Sequence, residues 1–442
     1  MPLPYDYFVK TTTIVSAASD SNDGRDPLGC SLATASYDHT GGGTGERQLT
    51  AGSGTPFTNV QAGDYIYLVF GGGTSLDGCY EIETVSSSTV VLLAADTGLI
   101  DDSTSNVTSS DGPWLTLQYA FDTALTDGDH VVFCDDGNGT GTDWEYVPTL
   151  DMDVGNFDAG GRHFHGANGR GVVDGTVTTI SGASHSGSTH LITANNATLD
   201  GQNFYDIRLT GAGSINLYAY IPTSMNAWGF HRCRIDNATG AGIQMRSYLW
   251  SFVDCEVDSN GSFGLTDGST SPNNLRALWV RCRIHDNGGD GINAGSQGLI
   301  DCLVYDNAGD GYAIFGASPC PIQGSVFFGN TGDGISTGSG SWTANMGAGP
   351  LISNCVFRSN GGYGVNLSGY STAVSPGIDY CCFHNNTSGP TSGAVEFLGK
   401  FPGEDNNIYV DPEFTSETDG SEDFTPADGS PLIDAGIMVA VL

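Results

Sequence analysis

The stretch "VRCRIHDNGGDGI", Val280 to Ile292, sets a cysteine and a histidine three residues apart beside glycines and acids. Taken alone it suggests a metal or redox motif. Its neighbours change that reading, because the pattern returns from about Asn226 to Asn386 as "FHRCRIDNATGAGI", "FVDCEVDSNGSFGL", "LIDCLVYDNAGDGY", "IQGSVFFGNTGDGI", "ISNCVFRSNGGYGV" and "DYCCFHNNTSG". The anchors are Cys233, Cys255, Cys282, Cys302, Ser325, Cys355 and Cys381, spaced 22, 27, 20, 23, 30 and 26 residues apart. Asn follows at plus five (Asn260, Asn287, Asn307, Asn330, Asn360) and Gly at plus nine (Gly264, Gly291, Gly311, Gly334, Gly364). Fixed offsets beside variable loops are what a solenoid requires.

No helix-period face accompanies the repeat, and the short apolar alternation with glycine corners predicts coils of a parallel β-helix. Successive coils stack about 4.8 Å apart, so like residues form ladders along the axis. Corner Asn side chains then bond to backbone, and Gly supplies positive φ. Composition agrees: 65 glycines among 442 residues, without a Gly-X-Y period, imply many turns and short strands.

Three further segments resemble right-handed parallel β-helix proteins of the pectate-lyase-like class. "VSAASDSNDGRDPLG", Val15 to Gly29, is similar to their opening. "GPWLTLQYAFDTALTDGDHVVF", Gly112 to Phe133, resembles the short helix that caps the first coil and the strand after it. "YVDPEFTSETDGSEDFTPADGSPLIDAG", Tyr409 to Gly436, resembles their closing segment. The resemblance implies an all-β, right-handed single-stranded parallel β-helix, divided here into an opening segment (1–29), a small β-rich insertion (30–111), a capping helix with the coils (112–408) and a closing segment (409–442). Opening and cap normally adjoin. The insertion between them carries "FTNVQAGDYIYLVF", "GCYEIETVSS" and "TVVLLAA", whose alternation suggests a barrel-like module for attachment or oligomerisation.

Charge narrows the partners. The balance of 14 basic against 50 acidic residues, −36, opposes binding to nucleic acid and anionic membranes and leaves neutral glycans and divalent cations. There is no run of roughly eighteen apolar residues to span a membrane. The start lacks a secretory pattern, and eleven cysteines are an odd number. Folding in a cytoplasm with reduced thiols is therefore expected; disulfides between coils and a metal site are the alternatives.

Strand alternation about the anchor predicts that Val253, Cys255 and Val257, Val280, Cys282 and Ile284, and Ile300, Cys302 and Val304 point inward. Outward stand Arg232, Asp254, Arg281 and Asp301 before the anchors, Arg234, Glu256 and Arg283 after them, and Asp258, His285 and Tyr305 three positions on. Alternating signs from coil to coil suggest register-keeping ion pairs, worth about 0–1 kcal/mol each when exposed. The other reading is a groove, since four of the fourteen basic residues gather there.

Enzymes of the pectate-lyase-like class carry their sites on such a face. For a lyase the resemblance implies Arg281 or Arg283 as base, with Asp254, Glu256 and Asp301 holding calcium. A hydrolase would use Asp254 with Glu256, or Glu256 with Asp258, at the roughly 6.5–7 Å of residues i and i+2. Arg232, Arg234, His285, Asp301 and Tyr305 would contact substrate, and the "GDG" acids Asp290, Asp310 and Asp333 form a column that calcium could bridge. The leading expectation is a surface-displayed recognition or structural protein, a virion spike, fibre or capsid decoration, binding cell-surface glycan. Its partners would be that glycan, other virion proteins and, as a homotrimer, itself, on a virion surface or outside the cell. A polysaccharide lyase or glycoside hydrolase is the alternative.

Overall fold

The computed structural model describes residues 7–9, 35–38, 48–58, 60–70, 78–93, 102–109, 130–134, 144–145, 150–151, 162–167, 173, 175, 177–182, 190–194, 201–220, 227–246, 250–267, 277–295, 297–314, 320–337, 350–368, 377–393, 406–418, 420–433 and 435. The chain divides into two compact units.

The first comprises residues 1–146, 150–181 and 201–208. It contains a closed antiparallel barrel whose strands run in the order Ala35–Asp38, Gln48–Ala51, Val90–Leu93, Gly78–Ser87, Tyr65–Phe70 and Asp102–Ser109. Alternation fills its interior with Tyr37, Leu49, Ile66, Leu68, Tyr80, Ile82, Val91 and Leu93. The barrel interrupts a parallel ladder, because Tyr7–Val9 before it pairs with His130–Cys134 after it. That strand continues to His163–Ala167 and Asn203–Tyr205. The expected capping helix, residues 112–129, lies outside the described residues, and no helix occurs among those described.

The second unit, residues 147–149, 182–200 and 209–442, holds the repeats. Each coil contributes one strand to each of three parallel sheets. The leading sheet runs from Gly229–His231 through Trp250–Val253, Ala277–Val280, Gly298–Ile300, Pro321–Gln323 and Leu351–Ser353 to Gly377–Asp379. The anchor sheet runs from Arg234–Asp236 through Glu256–Asp258, Arg283–His285, Leu303–Tyr305, Val326–Phe328 and Val356–Arg358 to Cys382–His384. The third follows the Asn corner, with strands such as Ile292–Ala294 and Tyr312–Ile314.

Two bends bracket each anchor strand. The residue before the anchor has positive φ (Arg232 53°, Asp254 55°, Arg281 52°, Asp301 54°), and so does the residue four after it (Asn237 54°, Ser259 54°, Asp286 52°, Asp306 51°). In the Ser325 coil both are glycines, Gly324 and Gly329, and a side chain there would strike Asp301 or Asp306 of the preceding coil.

The first bend corrects the expected inward set. Cys255, Cys282, Cys302, Val257, Ile284 and Val304 are buried, but Val253, Val280 and Ile300 are only half-buried. A left-handed residue resets the pleat, so Phe252, Trp279 and Leu299 point inward instead, each fully enclosed. Their rings stack from coil to coil, with Phe230–Phe252 at 5.0 Å and Phe252–Trp279 at 3.9 Å between centroids.

The eight cysteines from Cys233 to Cys382 are buried and free of disulfides. Cys255 and Cys282 donate to the carbonyls of Phe230 and Phe252 at 3.3 Å. Ser325 fills its rung by accepting from Cys302 N and donating to Gln323 O. Burial pushes the thiols of Cys255, Cys302 and Cys381 up, so they stay protonated. Beside them the corner amides form a continuous buried chain: Asn260, Asn287, Asn307, Asn330 and Asn360 each donate to the next Asn at 2.8–3.0 Å.

Candidate functional site

The outer face of the anchor sheet is the face on which the sequence places a groove. Half of it is covered by the chain's own C-terminal segment. A short hairpin, Phe414–Ser416 with Asp423–Pro426, folds onto it. Tyr305, Val326, Phe328, Val356, Cys382 and Phe424 form a second apolar core outside the coil, with Leu303, Ile408, Phe414 and Leu432 around it. Arg358 fastens this strap through Asp411 at 3.0 Å and through Glu417.

The remaining half, on the first three coils, is polar. Two arrangements occur where the sequence suggests one. At the bend before the anchors, Arg232, Asp254, Arg281 and Asp301 are all exposed. There Arg281 bonds Asp254 in bidentate fashion at 2.7 and 2.9 Å. The guanidinium holds the Asp254 carboxyl below the usual aspartate range.

On the strand face itself lies a tighter cluster. Arg234 grips Asp258 at 3.0 and 2.8 Å and reaches Asp236 at 2.8 Å. His285 faces Glu256 with Nε2 at 2.9 Å and Asp286 with Nδ1 at 2.7 Å. Tyr305 stacks on the His285 ring at 4.5 Å, and its hydroxyl accepts from Arg283 Nη2 at 2.5 Å. Asp258 is 2% and His285 8% exposed, whereas Arg283 is exposed.

These positions revise the expected roles. His285 and Tyr305 do project outward, but ring stacking and the strap bury them, and burial pushes the Tyr305 hydroxyl up to about 12. Tyr305 is therefore a wall of the strap core and not an open sugar contact. The hydrogen bond from His285 holds Glu256 below the usual glutamate range, against the opposing effect of burial. The hydrogen bond to Asp254 raises Arg281 above the usual arginine value. Donor and acceptor atoms of Glu256, Asp258 and His285 converge within 4.8 Å.

The acidic column at the corner has other duties. Asp290 and Asp310 accept the N–H of Asp310 and Asp333 in the next coil at 2.8 and 2.7 Å, and Asp333 accepts from Tyr363 N at 2.5 Å. Asn293, Ser336 and Asn366 take their second oxygens at 2.5, 2.5 and 2.8 Å. Among the described residues these acids do not converge on a point where calcium would sit. Asp286 and the contacts of the strap with the sheet escaped sequence reasoning. Asp286 follows His285 directly, but the strap contacts span 59 residues from Arg358 to Glu417 and leave no local signal.

Residues 247–401 match the family model described as right handed beta helix region. No curated protein matches the sequence. Among solved structures, pectate lyase Pel9A is similar at 13% identity over 75% of this chain and 88% of that one, with a TM-score of 0.50. The A-module of the Azotobacter vinelandii mannuronan C-5 epimerase AlgE4 gives 13% identity over 60% and 76%, at 0.42. Tailspike protein gp49 of Acinetobacter baumannii bacteriophage Fri1, a capsular polysaccharide depolymerase, gives 10% identity over 88% and 70%, at 0.39. The coils, the three-sheet topology and the family match agree: in fold, this chain is a right-handed parallel β-helix.

Proposed function

We propose that the protein is a surface-displayed recognition protein that holds a neutral glycan along the open half of the anchor-sheet face, over the coils of Arg234, Glu256 and Arg283. One observation carries the choice of recognition over turnover: the ionisable groups expected to do chemistry there are engaged with one another. Arg281 bonds Asp254, Arg234 bonds Asp258, and Glu256 meets His285. Groups so fixed are poor acids, bases and nucleophiles, but they are preorganised hydrogen-bond partners for sugar hydroxyls. The net charge of −36 opposes polyanionic glycans.

A virion surface is the setting that joins this face to a core of reduced thiols, with other virion proteins and a homotrimer as the assembly. Mixing the protein with neutral and acidic polysaccharides tests the reading. Saturable binding of a neutral polymer, with no unsaturated product and no new reducing ends, is the expected result, and Arg234→Ala with Arg283→Ala weakens it at least about tenfold, the loss of roughly 1.4 kcal/mol. Product release would establish the lyase or hydrolase alternative instead. Binding that survives both substitutions would place the site elsewhere.

A further inference from the structure

The geometry points to a site for a borderline first-row divalent cation, of the Zn2+ or Mn2+ kind, built from Glu256, Asp258 and His285 on the outer face of the anchor sheet. It stands whether or not a glycan binds beside it.

The register brings the three together. Glu256–Asp258 pairs in parallel with Arg283–His285, so Asp258 and His285 are direct neighbours in one column and Glu256 lies two residues back in the adjacent column. All three side chains leave the same side of the pleat. Their ligand atoms fall within 4.8 Å of one another. This is the only such convergence of three metal-ligating groups among the described residues.

His285 supplies the second observation. Both ring nitrogens face carboxylate oxygens, Nδ1 on Asp286 at 2.7 Å and Nε2 on Glu256 at 2.9 Å. The second N–H of an imidazolium meets both contacts, and a metal ion at Nε2 takes the place of one of those protons. Nδ1–H then donates to Asp286, the outer carboxylate that fixes tautomer and ring orientation in histidine metal ligands. The Tyr305 ring, stacked at 4.5 Å, holds the imidazole plane from the other side.

Charge and access agree with this assignment. Asp236, Glu256, Asp258 and Asp286 meet in one cluster whose nearest fixed cation is Arg234. Arg234 occupies only part of the Asp258 carboxylate, since an ionised carboxylate offers about four lone-pair sites. The Asp258 side chain is 2% and that of His285 10% exposed, but Glu256 is 33% exposed, so an ion entering past it keeps an open position for water or another oxygen ligand. One imidazole with two carboxylates suits Zn2+ or Mn2+, whereas calcium and magnesium prefer all-oxygen surroundings.

The test is calorimetric titration of the full chain, freed of metal, with Zn2+ alone in a background of excess Ca2+. One Zn2+ per chain is expected at this site, weakened at least about tenfold by Glu256→Gln or His285→Gln and about 10–100-fold by Asp286→Asn. No uptake, or uptake unchanged by both ligand substitutions, would overturn the assignment. Crystals of the unaltered protein soaked in Zn2+ give a readout independent of variant folding. An anomalous peak between Glu256, Asp258 and His285 is the supporting result. A peak only elsewhere, for instance at the His130–His165 pair whose nitrogens lie 2.9 Å apart, counts against it.

Discussion

Asn307 shows what a single repeat position does. It accepts from Asn287 N and Nδ2 at 3.2 and 3.0 Å and donates to Ile284 O, Tyr305 O and Asn330 Oδ1. It has no exposure to solvent. Asn307→Ala would leave several buried polar groups without partners, each costing about 1–3 kcal/mol. A loss of at least about 3 kcal/mol is therefore expected from the shift in denaturant midpoint, with far less for Asn386→Ala at the half-exposed end of the chain of amides. Equal losses at both positions would show that the ladder is not a cooperative buried network. The plus-five spacing made this residue legible from sequence. What it did not reveal was the left-handed bend at Arg281 or Asp254, because a positive φ at a non-glycine residue is imposed by the stacked coil and carries no composition signal.

At the scale of elements, the repeat gave the coil and the anchor but not the phase of the strand before it. Alternation counts residues, and one left-handed residue shifts the count, which is why Trp279 and not Val280 faces inward. The acidic corner was legible as a column, but its hydrogen bonds were not, since the backbone N–H groups that take up its oxygens belong to the next coil. Burial raises the carboxyls of Asp290 and Asp333 above the usual aspartate value, in spite of the donors around them. An acid whose folded-state pKa is raised stabilises the fold when protonated, and that contribution is lost as pH rises through the folded value. The melting temperature of Asp290→Asn with Asp333→Asn, relative to the unaltered protein, should therefore be most favourable at pH 7 and become less so as pH falls toward 4. A relative melting temperature that becomes more favourable in acid would reverse the sign and refute the desolvation account.

For the molecule as a whole, the sequence located a candidate face but not the segment that covers half of it. The resemblance marked a closing segment without placing it; the structure lays it along the coils from Tyr305 to Cys382. Phe424 is its keystone, 8% exposed and 5.2 Å from the rings of both Tyr305 and Phe328. Truncating a buried phenylalanine costs about 3–5 kcal/mol. A strap held by one small apolar core and the Arg358 ion pairs would not survive that loss, whereas Trp279, Cys282, Cys302 and Asn307 are buried on the inner side of the sheet. Phe424→Ala should accordingly uncouple the two. Amide exchange in residues 411–433 would rise toward that of an unfolded chain while residues 280–307 keep their protection. The uncovered Val326, Phe328 and Val356 would bind a hydrophobic dye and promote self-association. If strap and coils instead lose protection together at one denaturant midpoint, the closing segment is an integral part of the solenoid's cooperative unit. The open polar half of the face would then owe its boundary to folding of the coils and not to a separately docked strap.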